Sequence, residues 1–454
     1  MILIPKKGCN EIKYDSDLAK KLDYVIIIND EESSNVGDLF SIWNQKCKVE
    51  ICNDISDYYD FIKKQDKINK KCNITIIGTK NVKYEQIIEY KNLTEFFLSY
   101  KEELKVIDKG MNKINNSFID KNDNAVVKDL LDKFIYMNSG GKYIRAFLIS
   151  LGYHIASKTE DDYYIPLATA YETFQTSILV HDDIIDKANM RRGKKTIPTQ
   201  YIDKFNKYDK QDEDFDTIKV ETANSMAICA GDIGFFLTTK IIVDNYAKND
   251  NLDKILSLYN DVLINTGKGE VIDVLLPFVD KYSSKYKVKE SDVYDIYRLK
   301  TAWYTIIGPF SLGLLLGGMN SKTLNNIRKV FEPIGIAFQI KDDILGIYAN
   351  EKNLGKNNSD IKENKQTILY SYVINKTDYK EDLLKYYGKS ELSAEDINKV
   401  KEIFEKSGAL EYATKKMDSL FEEGRNQLKN NRKIPTYYKE VLSGLITYLE
   451  LRDK

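Results

Sequence analysis

The sequence predicts two parts of different class: a small parallel α/β unit over residues 1–95 and an all-α bundle of long helices over 96–454. Two observations carry this division. In the first part short apolar runs alternate with stretches of helical length, whereas beyond about Leu93 apolar residues recur at helical spacing over long segments with no convincing strand. Four of the five cysteines also fall in the first part, which marks the same change of composition.

Taken in order, the first part has apolar runs at Tyr24-Val-Ile-Ile-Ile-Asn29, Lys48-Val-Glu-Ile-Cys52 and Asn73-Ile-Thr-Ile-Ile-Gly78. Helical stretches around 38–45 and 55–68 lie between them, the pattern of a parallel sheet. The second part shows helical periodicity over 94–115, 164–185, 226–245, 293–319 and 321–347, within on the order of ten to twelve helices. The apolar stretch Trp303–Met319 contains Pro309 and four glycines and is read as a buried helix, so no membrane span is expected. The charged stretch 201–221 reads as an exposed insertion, either a lid or a loop.

Composition narrows the function. A formal net charge of −1 gives no argument for nucleic acid or an anionic membrane as a partner. The cysteines show neither CxxC nor Cys/His metal spacing, so no disulfide framework or zinc site is expected. Met1-Ile-Leu-Ile-Pro-Lys-Lys7 is not a charged-then-apolar signal, and the expected location is cytoplasmic. The only histidines, His154 and His181, leave the chemistry to carboxylates, lysines and arginines.

Asp182-Asp183-Ile-Ile-Asp186 follows an apolar helical run, and residues four apart share a helix face, so Asp182 and Asp186 project together. Carboxylates without His or Cys favour a hard cation such as Mg²⁺. Asp342-Asp343 ends a second apolar run. Arg191-Arg192-Gly193, Lys142 and Arg145 behind Gly140-Gly141, Lys300-Thr301 and Lys356 add separate cationic clusters. Metal-binding acids with such clusters suit a diphosphate arriving with magnesium.

These motifs, in this order, resemble the trans-isoprenyl diphosphate synthase (polyprenyl synthase) family over residues ~100–454. Gly140-Gly141-Lys142-Tyr-Ile-Arg145, Glu172-Thr-Phe-Gln175, Asp182–Asp186 with Arg191-Arg192-Gly193, Gly231-Asp232, Gly269-Glu270-Val-Ile-Asp273, Lys300-Thr301-Ala302, Phe338-Gln339-Ile-Lys-Asp342-Asp343 and Gly355-Lys356 through Asp360 and Lys365 carry it. The resemblance implies an all-α isoprenoid synthase helical bundle, usually a homodimer, that elongates allylic diphosphates with isopentenyl diphosphate. It implies three Mg²⁺ held by Asp182, Asp186 and Asp342, and an allylic diphosphate gripped by Arg191, Lys300 and Lys356. It places isopentenyl diphosphate on Lys142, Arg145, Gln175 and Arg192, and gives Asp183, Thr301 and Gln339 catalytic positions. Two departures stand out: Gly346 replaces the second motif's third acid, and Glu270 stands where glutamine is usual.

Product length is argued from Ser177, Ile178 and Phe174, on the turns before Asp182. A small Ser177 and a bulky Phe174 one turn deeper, about 5.4 Å away, set the floor for a C20 product, with C25 as the alternative. Phe174 as packed core is the competing reading. Around residues 22–35 and 76–79 the first part loosely resembles the last third of hydroxymethylbutenyl diphosphate reductase, through Ser33-Ser34-Asn35 and Cys9; an unrelated small α/β unit remains the alternative. A terpene cyclase on the same fold, a non-catalytic partner subunit and a helical scaffold are the competing functions.

Overall fold

The computed structural model describes residues 2–3, 22–28, 44, 47–65, 67–78, 82–210, 212–348, 359–389 and 391–452. Cys9, Ser33-Ser34-Asn35, nearly all of the expected 38–45 helix, Gly355 and Lys356 lie outside the described residues. The chain forms two compact units, residues 1–105 with 428–452, and 106–427 with 453–454.

In the first unit, strands β1 (Ile2–Leu3), β2 (Tyr24–Ile28), β3 (Lys48–Cys52) and β4 (Ile74–Gly78) form one sheet in the order β1-β4-β2-β3. All pairs are parallel, with Tyr24 level with both Lys48 and Ile74. Strands β2 and β4 are buried along their whole length, as parallel strands covered on both faces require, which is why they are rich in Ile, with Thr75 the one polar residue among them. Helix α1 (Ile55–Lys64) starts where the Asp54 carboxylate accepts the Asp57 N–H at 2.8 Å. It ends earlier than the expected residue 68. Helix α2 (Tyr84–Asn115) begins ten residues before the periodicity at 94 and brings Phe96, Phe97 and Tyr100 into the unit. The last helix of the chain, Thr436–Leu451, closes the same core. Its Tyr448 ring lies 5.1 Å from Phe96 and 6.0 Å from Tyr59, and its Glu440 pairs with Lys91 at 2.6 Å.

The second unit is helical, as the fold class predicts. Helices α3 (Ala125–Met137), α4 (Ile144–Ser157) and α5 (Ile165–Ile185) lead to a short hairpin, β5 (Met190–Arg191) with β6 (Lys194–Lys195). No strand was expected in this part; the hairpin arises because Arg192 and Gly193 both take positive φ, 53° and 74°, the geometry of a tight two-residue hairpin turn. Next come α6 (Ile197–Phe205), α7 (Phe215–Tyr246), α8 (Leu252–Tyr282) and α9 (Glu290–Ile296). A π-helical segment, Tyr297–Ile307, runs on into α10 (Gly308–Leu316), followed by α11 (Ser321–Tyr348). Helices α12 (Ser359–Lys362), α13 (Ile368–Lys376), α14 (Lys380–Leu383), α15 (Ala394–Lys406) and α16 (Ala409–Asn430) follow.

The insertion expected at 201–221 is exposed over 206–210 and 212–214, between α6 and α7. Its two ends are helical, and Tyr201 at its start is buried against a cluster that includes Leu130, Phe134 and Ala227. Two helical stretches are long and apolar enough to cross a membrane, 215–246 and 290–316. The apolar window of the second is 83% buried, which fits the core helix expected over 303–319.

Candidate active site

The second unit holds a cleft of about 300 Å³ lined from five directions. Helix α5 contributes Ile178 and Asp182, the hairpin Arg191, α8 Glu270 and Asp273, the π-helical segment Lys300, Thr301 and Tyr304, and α11 Gln339, Asp342 and Asp343. The two Asp-rich motifs, 160 positions apart in the sequence, therefore share one cavity.

At the first motif Arg191 binds both leading acids. Its Nη2 donates to Asp182 Oδ2 at 2.7 Å and its Nε to Asp183 Oδ1 at 2.5 Å. Burial alone would lower the Arg191 pKa, but Asp183 and Asp182 outweigh it and the pKa is raised. The adjoining Arg192 sits at φ 53°, a conformation disfavoured for a side chain of this kind and common at functional sites. Asp186 caps the end of α5 and lies outside the residues lining the cleft.

The π-helical segment positions the opposite wall. Wide turns of this type are rare and recur at functional sites. Lys300 Nζ lies 2.6 Å from Asp273 Oδ2 and 2.8 Å from Glu270 Oε2. Thr301 Oγ1 donates to Gln339 Oε1 at 2.5 Å, and Gln339 Nε2 donates to Asp343 Oδ1 at 2.8 Å. Tyr297 donates its hydroxyl to Asp343 Oδ2 and accepts the Ile368 N–H at 2.8 Å. Asp343 thus has both oxygens engaged inside the protein. Burial pushes its carboxyl up to about 7, against the lowering effect of those two hydrogen bonds.

The residues expected on the isopentenyl side separate. Arg145 lines the cleft, donating from Nη2 to Thr305 Oγ1 at 2.9 Å, with its guanidinium 4.1 Å from the Tyr304 ring centroid. Arg192 lines a small adjoining depression with Gly140 and Lys194. A Cβ on Gly141 would lie 3.3 Å from Arg192 Nη1, so the two glycine-bearing turns meet closely. Buried Glu172 accepts the Ala146 N–H at 3.1 Å; burial raises its pKa, and the charges of Arg145 and Arg192 oppose the rise. Lys142 is exposed and Gln175 is buried in α5, and both lie outside the residues lining either cavity.

On α5, Ile178 lines the cleft, whereas Ser177 donates to the Thr173 carbonyl and abuts Gly234 of α7. Phe174 and Tyr171 are fully buried with Tyr304, Tyr259 and Phe235, at centroid distances of 5.5 Å from Phe174 to Tyr304 and 5.9 Å to Tyr259. Tyr297 and Tyr304 were not singled out from sequence. A tyrosine spaced from Lys300 by π-helical turns carries no periodic signal that could have found it.

Gly346 acquires a physical reason. A Cβ there would come within 2.0 Å of Asp360 Oδ2, so the carboxylate of Asp360 fills the place a side chain would take. Asp360 pairs in turn with Lys365, which lines the cleft, at 3.5 Å. Gly346→Asp, which would restore the missing acid, is expected to lower stability by about 1–3 kcal/mol and to reduce turnover rather than raise it. Thermal melting and an elongation assay on the same preparation check this; a more active variant would refute it.

Among the described residues no group of three or more His, Cys, Asp or Glu stands close enough together to hold a metal ion. Arg191 engages Asp182 and Asp183, and Lys300 engages Glu270 and Asp273. The donor chemistry nevertheless fits Mg²⁺, because Asp182 and Asp342 present oxygen ligands from two helices to one cleft that has no His or Cys in its lining.

A model of the polyprenyl synthetase family matches residues 127–406, more than half of the chain. The chain belongs to the polyprenyl synthetase family. It is similar to the geranylgeranyl diphosphate synthase of Saccharolobus solfataricus, at 30% identity over 328 residues, covering 69% of this chain and 86% of that one. It is likewise similar to the geranylfarnesyl diphosphate synthase of Aeropyrum pernix, at 28% identity, covering 70% of this chain and 92% of that one. Among solved structures, a geranylgeranyl pyrophosphate synthase from Corynebacterium glutamicum, complexed with isoprenyl diphosphate and magnesium, superposes with a TM-score of 0.69 at 23% identity. It covers 77% of this chain and 98% of that one, and it shows the all-α isoprenoid synthase fold. This polyprenyl synthetase is a prenyltransferase that elongates prenyl chains.

Proposed function

We propose that this synthetase condenses isopentenyl diphosphate head-to-tail with allylic diphosphates in a Mg²⁺-dependent reaction, ending at C20 geranylgeranyl diphosphate. The observation that carries the reading is the meeting of Asp182, Arg191, Lys300, Gln339 and Asp342 with Arg145 around one cleft. Asp182, Asp186 and Asp342 would hold Mg²⁺, which when bound would supply charge neutralisation of the leaving diphosphate. Arg191 and Lys300, with Lys356, grip the same diphosphate, and Asp183 holds Arg191 in position. The Thr301 hydroxyl and the Gln339 amide oxygen, bonded to each other in the cleft wall, stabilise as fixed dipoles the carbon that becomes positive when the allylic C–O bond breaks.

Arg145, with Lys142, Gln175 and Arg192, holds isopentenyl diphosphate so that its double bond attacks that carbon. The proton lost afterwards passes to the departing diphosphate, which accounts for the absence of a histidine from the cleft lining. Phe174 forms the floor below Ile178.

The division at residues 95 and 96 into an α/β unit and a prenyltransferase domain belongs to this reading, as does a cytoplasmic location. So does a homodimer. Large apolar side chains stand exposed on α7 and α8, among them Phe236 at 76%, Val271 at 65% and Phe278 at 63%, and a second copy of the chain would cover them. Sedimentation equilibrium giving the monomer mass would sink that part.

Incubation with Mg²⁺, isopentenyl diphosphate and C5, C10 or C15 allylic diphosphates, followed by sizing of products, tests the reaction. Elongation to C20 is expected. Hydrocarbon released from an allylic diphosphate without elongation would establish the cyclase instead.

A further inference from the structure

Lys300 is held by two carboxylates of one helix. A Cβ on Gly269 would come within 2.6 Å of the Lys300 backbone nitrogen, so α8 and the π-helical segment touch backbone to backbone at that point. The next residue, Glu270, and Asp273 three positions on share a helix face and close on the Lys300 ammonium at 2.8 and 2.6 Å. All three side chains are mostly enclosed, at 24%, 17% and 25% exposure. One carboxylate is enough to neutralise an ammonium. The second leaves the cluster with net negative charge inside a cleft already lined by five carboxylates and four cations. A glutamine at position 270 would offer hydrogen bonds of the same reach without that charge.

We propose that Glu270 is a positioning residue that weakens the hold of Lys300 on a diphosphate ligand, so that a larger share of the affinity of this cleft for diphosphate is carried by a divalent cation. The inference rests on the functional reading above. With Glu270 in place, a diphosphate oxygen must compete with two protein carboxylates for one ammonium and also meets their repulsion. A divalent cation at Asp182, Asp186 and Asp342 would add a diphosphate contact that does not pass through Lys300 and would offset the repulsion.

The test is calorimetric binding of inorganic diphosphate to the full chain, first in EDTA and then in Mg²⁺, for the native protein and Glu270→Gln. The metal-free dissociation constant is expected to fall by about three- to tenfold in the variant, while the further tightening by Mg²⁺ shrinks by a similar factor. A metal-free affinity that is unchanged or weaker overturns the proposal. So does a gain that persists in a Lys300→Ala background, since it would then not pass through the lysine. Glu270→Ala serves as the second charge-removing variant, and near-UV circular dichroism shows that each protein is folded. The two readings fail separately. Native protein that binds diphosphate but elongates no allylic substrate sinks the functional reading and leaves the clamp to be judged on the binding data. Native protein that binds no diphosphate even with Mg²⁺ overturns both.

Discussion

Asp182→Ala is expected to lower kcat for elongation by about a thousandfold, the scale on which removing one preorganised charge-stabilising group acts. Of the three acids in the first motif, Asp182 is the one whose carboxylate both lines the cleft and binds Arg191, at 2.7 Å. Its loss removes an oxygen ligand for the metal and frees one side of the guanidinium. The fold should survive, because Arg191 keeps its 2.5 Å bond to Asp183 and Asp182 itself is 18% exposed. Steady-state elongation kinetics, with a melting curve on the same sample, check both halves. A drop of less than about tenfold would remove Asp182 from the catalytic set.

The second large effect is on product length. Phe174→Ala is expected to shift the main product beyond C20. Phe174 is 1% exposed and is packed by rings from three other elements, Phe235 of α7, Tyr259 of α8 and Tyr304 of the π-helical segment. Tyr304 also lines the cleft, so the aromatic cluster begins where the cavity ends. Removing the ring costs about 3–5 kcal/mol of stability and leaves a void with apolar walls. A growing prenyl chain can fill that void and recover part of the loss. Phe174→Leu, milder in volume, guards against a variant that does not fold. Chromatographic sizing of products decides the matter: a folded variant with an unchanged C20 product makes Phe174 ordinary core and moves the floor elsewhere.

Much of the site could be read from the sequence because its chemistry lies in short motifs. Asp182, Arg191, Lys300 and Asp342 were marked by residue type and spacing, Thr301 and Gln339 by the family resemblance, and all six line one cleft. The buried parallel strands were equally legible, since a strand covered on both faces is predominantly apolar. In the 201–221 stretch only the helical ends were missed, because its charged residues dominate its composition. Tyr201 and Phe205, one helical turn apart, carry the packing, and two residues are too few to raise a periodic signal.

The sequence by itself determined the all-α class of the larger part, the reliance on carboxylates and cations, and the order of the motifs. Local pattern suffices for these, because helical periodicity and a catalytic residue type are properties of a few neighbouring positions. Only the tertiary structure decided which groups meet. It paired Arg191 with Asp182 and Asp183, set Glu270 and Asp273 together on Lys300, and engaged both oxygens of Asp343 with Tyr297 and Gln339. It also gave Gly346 its reason, in the carboxylate of Asp360. Contacts between residues tens of positions apart depend on how helices cross and on a π-helical segment that shifts side chains off the 3.6-residue period, and neither leaves a mark in the local sequence.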